Sequence, residues 1–115
     1  MNRLFACLIV LMIWSSVSLA EPLNCDVGPV IRELGGTQWQ VTSCSDNRSL
    51  VFVTAAGNPA MPFVFMVLRT DEPTKINGEG NGSKEHSAAA YDSLKMMTEH
   101  EFDALVEATV AANKD

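Results

Sequence analysis

Apolar positions follow two different periods along the chain, and each period predicts a different kind of element. Three segments rich in Val, Phe, Trp and Thr predict strands, over residues 38–44, 50–55 and 62–70. Turn-forming residues separate these segments, at positions 45–47 and 57–59. The connections are too short for parallel crossovers, which need about a dozen residues or more, so we expect an antiparallel meander.

A shorter fourth strand is predicted over residues 75–79. It overlaps a run at residues 77–83 that contains three glycines and no apolar side chain, which is typical of a loop or turn. The sequence therefore predicts a sheet of three or four strands.

The segment before the first of these strands has the spacing of a short amphipathic helix. Its apolar residues recur at helical intervals, at Val27, Val30, Ile31 and Leu34. Asp26 is available as the N-cap, and Gly35 with Gly36 is expected to end the helix.

Two further helices are predicted near the C-terminus, over residues 84–97 and from Glu99 to about Ala112. Thr98 and Glu101 form the Thr-x-x-Glu capping box that marks the start of the second helix. The side of that helix expected to be buried carries Phe102, Leu105, Val106 and Thr109.

These elements predict an α+β fold: a short N-terminal helix, a three- or four-stranded antiparallel meander and two C-terminal helices. Side chains alternate between the faces of a strand, and the third strand is apolar on both. One face carries Phe63, Phe65 and Val67, and the other carries Val64, Met66 and Leu68. We expect the N-terminal helix and the C-terminal pair to cover one face each. The alternative is that all helices lie on one face and a partner or second copy covers the other.

The first twenty residues have the pattern of a cleaved signal peptide. Arg3 gives a positive start, residues 4–14 are apolar, and small residues lead to a cleavage site between Ala20 and Glu21. An uncleaved anchor is the alternative, but the apolar run is shorter than the roughly 20 residues that a spanning helix needs. We therefore predict an exported protein, periplasmic or secreted, in which residues 21–115 form a single small domain without membrane association.

Length and charge narrow the classes of function. The chain has 115 residues, with 8 basic and 14 acidic side chains and a net charge of -6. This length predicts one domain and excludes a multidomain enzyme. Removal of the leader takes away Arg3, so the remaining 7 basic and 14 acidic residues give -7. An acidic chain without a Lys/Arg cluster is not expected to bind nucleic acid, and it favours a basic protein partner.

Two of the three cysteines, Cys25 and Cys44, remain after the leader is removed. In an oxidising compartment this pair is expected to form a disulfide. The alternatives are a redox-active pair or a metal site. The two cysteines lack both the Cys-x-x-Cys spacing of a redox motif and the further ligand pairs of a zinc site.

Two places carry candidate binding chemistry. The glycine-rich run followed by Lys84 precedes a helix, and a helix N-terminus can bind anions, but the order Ser-Lys does not match a phosphate-binding loop. His86 and His100 lie on the two C-terminal helices, with Met96 and Met97 close to His100, and thioether and imidazole ligands suit copper.

Signs of catalysis are absent from the sequence. The chain has no Gly-x-Ser-x-Gly nucleophile motif, and its remaining thiols are expected to be paired. The last helix carries acids that favour a solvated charged face, at Glu99, Glu101, Asp103 and Glu107. We therefore predict no enzyme, no catalytic residue, no cofactor and no metal.

The sequence leads to one main functional prediction and one alternative. We expect an exported, non-catalytic interaction protein of the inhibitor, immunity or assembly-accessory type. It would dock a partner protein, or self-associate, through its acidic surface or an uncovered sheet face. The alternative is a small ligand- or metal-binding protein that uses residues 77–84 or the two histidines.

Overall fold

A computed structural model describes residues 22–114 of the chain. The predicted signal peptide and its cleavage site between Ala20 and Glu21 lie outside the described residues. The elements in chain order are β1 (Val27–Leu34), β2 (Thr37–Ser43), β3 (Leu50–Thr54), β4 (Phe63–Leu68), β5 (Lys75–Gly80), α1 (Lys84–Met96) and α2 (Glu99–Asn113).

The strands form one antiparallel sheet in the order β1-β2-β3-β4-β5. The meander predicted from the short connections is confirmed. The sheet has five strands rather than three or four, because β1 precedes the predicted set. Two helices follow the sheet, and the α+β class is correct.

The predicted N-terminal helix is wrong, because its residues form strand β1. Gly35 and Gly36 make the turn of the β1–β2 hairpin, with φ values of 58° and 87°. Positive φ at both central residues suits a tight hairpin, since its twist matches that of the flanking strands. A bulge between Val27 and Val30 shifts the strand's alternation, which left the apolar residues with an apparent helical spacing.

Both helices pack against the same face of the sheet, which we call the inner face. α2 contacts β1 and β2, while α1 contacts β1 and β5. The inner face and the helices share one hydrophobic core, formed by Leu34, Trp39, Val41, Leu50, Phe52, Ala60, Phe65, Val67, Ala90, Leu94, Phe102, Leu105 and Val106. The expectation that helices cover both faces is therefore wrong for the described residues, because the segment expected to cover the second face belongs to the sheet.

The ends of α2 are fixed by specific contacts. Thr98 and Glu101 form the predicted capping box, and the predicted buried side of the helix is confirmed. Farther along, the hydroxyl groups of Thr109 and Ser43 are hydrogen-bonded to each other at 2.7 Å inside the core, and the Thr109 hydroxyl also contacts the Val106 carbonyl at 2.6 Å. Since both polar groups are buried, this bond favours one position of α2 on the sheet.

The predicted disulfide joins Cys25, ahead of β1, to Cys44 at the end of β2. The backbone N–H of Ser45 also donates to the Asn24 carbonyl at 2.7 Å. In the chain-entropy model, closing a loop of this size stabilises a domain by about 3 kcal/mol. A disulfide is consistent with an exported protein.

Candidate functional site

The face of the sheet opposite the helices, which we call the outer face, is left open among the described residues. On the three central strands its side chains are Gln38, Gln40, Thr42, Val51, Val53, Val64, Met66 and Leu68. The edge strands add Ile31 and Glu33 from β1, and Lys75, Asn77 and Glu79 from β5.

The register of the sheet arranges these side chains in rows. One row runs from Gln40 through Val53 and Val64 to Glu79. The next row has Thr42, Val51, Met66 and Asn77 in the same order across the strands. The apolar residues of β3 and β4 therefore form a continuous patch at the centre, with polar neighbours on β2 and β5.

The patch is accessible among the described residues. Val53 is 42% exposed and Met66 is 39% exposed, and Ile31 on the edge strand is 46% exposed. Both helices contact the opposite face. Contiguous apolar surface of this kind is typical of interaction sites in proteins, since it gains free energy when it is removed from water.

The distribution of charge on the outer face is uneven. No acidic or basic residue lies on the outer face of β2, β3 or β4, although 19% of the chain is charged. Charges occur only on the edge strands, at Glu33, Lys75 and Glu79. The site thus has the uncharged centre and charged rim that characterise protein interfaces.

A second cluster, which the sequence did not indicate, surrounds a buried arginine just after β4. The Arg69 side chain is 1% exposed. Its Nε donates to Glu99 Oε1 at 2.9 Å and its Nη2 to Asp103 Oδ1 at 2.6 Å. Its Nη1 donates to the Arg48 carbonyl at 2.8 Å. The two carboxylates lie four residues apart on one side of α2, a spacing that is visible in the sequence.

The pKa values of both carboxyl groups lie below their ordinary values. For Glu99 the main cause is a hydrogen bond donated by Thr74, and for Asp103 it is a hydrogen bond donated by Arg69. Burial works to lower the pKa of Arg69, but its bonds to Asp103 and Glu99 outweigh that effect and raise it.

A cleft of about 620 Å³ lies beside this cluster. The buried guanidinium at its wall is already bound to Glu99, Asp103 and the Arg48 carbonyl. The cluster therefore holds the start of α2 against the end of β4, and we assign its ion pairs a structural role. Two of the acids predicted to form a solvated face, Glu99 and Asp103, belong to it.

The glycine-rich run at residues 77–83 forms a shorter loop than the sequence predicted. Its first four residues pair with β4 as part of β5, so the predicted loop at 77–83 keeps only its last residues. Ser83 is the N-cap of α1, and its hydroxyl accepts from the His86 N–H. Lys84 is the exposed first residue of that helix.

The structure places the two histidines near the starts of different helices, α1 and α2. His86 Nδ1 lies 2.9 Å from Ser83 Oγ, at the start of α1. His100 is exposed on the first turn of α2. Within residues 22–114, no group of three or more His, Cys, Asp or Glu side chains is placed to hold a metal ion.

An open groove of about 520 Å³ runs between β5 and α1. Its lining includes Phe63, Phe65, Ile76, Lys84 and Tyr91. Gly78 is required beneath it, because a Cβ there would lie 2.7 Å from the Phe65 ring. The Phe65 and Tyr91 rings are stacked with 6.1 Å between their centroids, so part of this apolar surface already packs within the domain.

Among the helices that the structure describes, none has the length and apolar character needed to cross a membrane. No protein-family model, curated protein or solved structure matches this chain.

Proposed function

We propose that this chain is an exported, non-catalytic interaction protein that docks a protein partner through the outer face of its sheet. The observation that carries the proposal is the apolar patch of β3 and β4, which no described element covers. The helices that complete the core lie on the opposite face, so the patch contributes little to folding and is free for association.

The composition of the patch favours a protein surface as its occupant. Burial of apolar surface is worth roughly 25 cal/mol for each Å² removed from water. The central strands present valine, methionine and leucine with no charge, so a partner loses no hydration of ionised groups at the centre. Gln38, Gln40 and Thr42 on β2 can exchange their hydrogen bonds to water for hydrogen bonds to a partner.

Photo-crosslinking in the producing cell tests this proposal. A photoreactive amino acid is placed at Val53 or Met66 on the outer face, or at Met96 on α1, which is 82% exposed and serves as the matched control. We expect discrete protein adducts from positions 53 and 66 and none of the same mass from position 96. The adduct formed from position 66 should disappear when Val53→Lys is added, because a lysine at the centre of the patch must be desolvated on docking.

Adducts of the same pattern from all three positions would contradict the proposal, as would no adduct from either outer-face position. The mass of an adduct also distinguishes a second copy of the chain from a different protein.

A further inference from the structure

We propose that the occupant of the outer face is a second copy of this chain, packed face to face about a twofold axis that runs across the strands. The inference rests on the proposed function, since it names the partner of the same surface. It is carried by the distribution of charge over that face.

Net charge limits the ways in which two copies can meet. Without the leader each chain carries 7 basic and 14 acidic residues, a net charge of -7, so copies repel one another over most of their surfaces. The centre of the outer face is an exception, because β2, β3 and β4 present no charged side chain there. A basic partner, by contrast, finds carboxylates on this face only at its edges, at Glu33 and Glu79.

The charged residues of β5 select the axis. Lys75 and Glu79 point to the outer face, two positions on either side of Asn77. A twofold axis across the strands at the level of Asn77 reverses each strand against its own copy. Lys75 then faces Glu79 of the second copy, and Glu79 faces its Lys75, so the two pairs lie on either side of the axis at the β5 edge.

The same axis matches the apolar residues. It passes over the row that contains Val51 and Met66, so each of these residues faces its own copy at the centre. Val64 faces Leu68 of the second copy. An isologous contact of this kind is the commonest arrangement in soluble dimers.

A twofold axis along the strands is less favourable. It sets β5 against β1 of the second copy, so that the Glu79 carboxylate meets the apolar side chain of Ile31. A charge that is removed from water without a partner destabilises the contact, because its lost hydration is not replaced. The axis across the strands leaves neither Lys75 nor Glu79 unpaired.

The size of the sheet predicts a weak dimer. Five strands about 4.8 Å apart, each with about six residues, give a footprint of roughly 480 Å² for each copy. Standard interfaces bury about 800 Å² for each partner. We therefore expect a dimer that dissociates on dilution in the micromolar range.

Sedimentation equilibrium of protein expressed from the full chain measures this association. Lys75→Glu and Glu79→Lys should each weaken the dimer at least about tenfold at low ionic strength, because each sets like charges against one another twice. The double variant Lys75→Glu with Glu79→Lys restores the pairs and should return to within about threefold of the wild type.

The two single variants also separate pairing from net charge. Glu79→Lys makes the chain less acidic, so an effect of net charge alone would strengthen the dimer. Weakening by both variants supports site-specific pairs, and strengthening by Glu79→Lys overturns the proposal.

A dimer could also form by edge-to-edge pairing of β5 with β5 of a second copy, which brings the same lysine and glutamate together. The variant Val53→Lys distinguishes that dimer from face-to-face packing. Face-to-face packing places residue 53 in the interface, so this variant should abolish the dimer, whereas Met96→Lys should leave it unchanged. Circular dichroism confirms that each variant is folded. A dimer that survives Val53→Lys overturns the proposal.

A wild type that stays monomeric up to several hundred micromolar also overturns the inference. If positions 53 and 66 still crosslink to a different protein, the proposed function stands and only the identity of the partner is wrong. If neither dimer nor adduct is observed, both proposals fail.

Discussion

On β3 and β4 both faces of the sheet are apolar, but the two faces have opposite surroundings. On β3, Phe52 is fully buried under the helices while its neighbour Val53 is 42% exposed. On β4, Phe65 and Val67 lie in the core while Met66 between them is 39% exposed. An apolar strand therefore predicts that both faces need a cover, but it does not predict which element of the fold supplies it.

What distinguishes the inner face is a set of specific contacts to the helices. Gly35 permits close approach of the β1–β2 turn to α1, and its N–H donates to Ser93 Oγ at 3.0 Å. Arg69 fixes the start of α2, and Thr109 fixes its later turns through Ser43. The described residues make no comparable contacts to the outer face. The packing between sheet and helices that stabilises the fold therefore lies on the inner face.

The largest expected effect comes from breaking the approach of α1 to the inner face. A Cβ at Gly35 would lie 2.6 Å from the Ala89 carbonyl carbon, whereas a Cβ at Gly36 would have no atom within 4 Å. Both glycines have positive φ, which costs another residue about 1–2 kcal/mol. We expect Gly35→Ala to lower the free energy of unfolding by about 3 kcal/mol, because overpacking adds to that cost, and Gly36→Ala by about 1 kcal/mol.

Urea denaturation of the two variants measures this difference. Equal losses of stability would mean that α1 does not rest on the hairpin turn, and the assignment of the inner face would then be wrong at this end of the sheet.

The same substitution on opposite faces gives a second, smaller difference. Val41 is fully buried on the inner face, and Val53 lies on the outer face of the adjacent strand. Threonine has nearly the same shape as valine, so the substitution mainly adds a hydroxyl group. Val41→Thr should lower the free energy of unfolding by about 2 kcal/mol, because the hydroxyl has to be buried. Val53→Thr should change it by less than about 0.5 kcal/mol.

Thermal and urea denaturation at low protein concentration check this pair without a contribution from association. A loss at Val53 as large as that at Val41 would show that the outer face is also covered within the monomer.

Local features of the fold could be predicted from the sequence. Strands β2, β3 and β4 follow from β-branched and aromatic segments between turn residues, and the start of α2 follows from the capping box. The error at β1 has a physical cause. A short apolar segment can match both periods, and the bulge between Val27 and Val30 removed the alternation that identifies a strand.

The candidate site could be predicted only in part. The alternation along β4 correctly assigns Val64, Met66 and Leu68 to one face, but the predicted N-terminal helix supplied a cover for that face that does not exist. Arg69 was not identified, because its role depends on carboxylates some thirty residues later in the chain. Such contacts depend on tertiary packing, which local patterns do not report.

The smallest expected effect concerns the ion pairs that hold α2 on the inner face. The pKa values of Glu99 and Asp103 are lowered in the folded chain by hydrogen bonds from Thr74 and Arg69. In acid the unfolded chain therefore binds more protons at these sites, so stability rises with pH there. The contribution of the pairs is complete above the ordinary carboxyl pKa near 4, and it is lost as the pH falls through the lower folded values.

Asp103→Asn keeps an acceptor for Arg69 but removes this titration. Its free energy of unfolding should be lower than that of the wild type at pH 7, and the two curves should converge as the pH falls below about 4. Urea denaturation at a series of pH values measures the convergence. Curves that stay parallel down to the acid transition would show that the carboxylate does not stabilise the contact of α2 with Arg69. In that case the position of α2 would depend on its apolar side and on Thr109, and the inner face would differ from the outer face through packing alone.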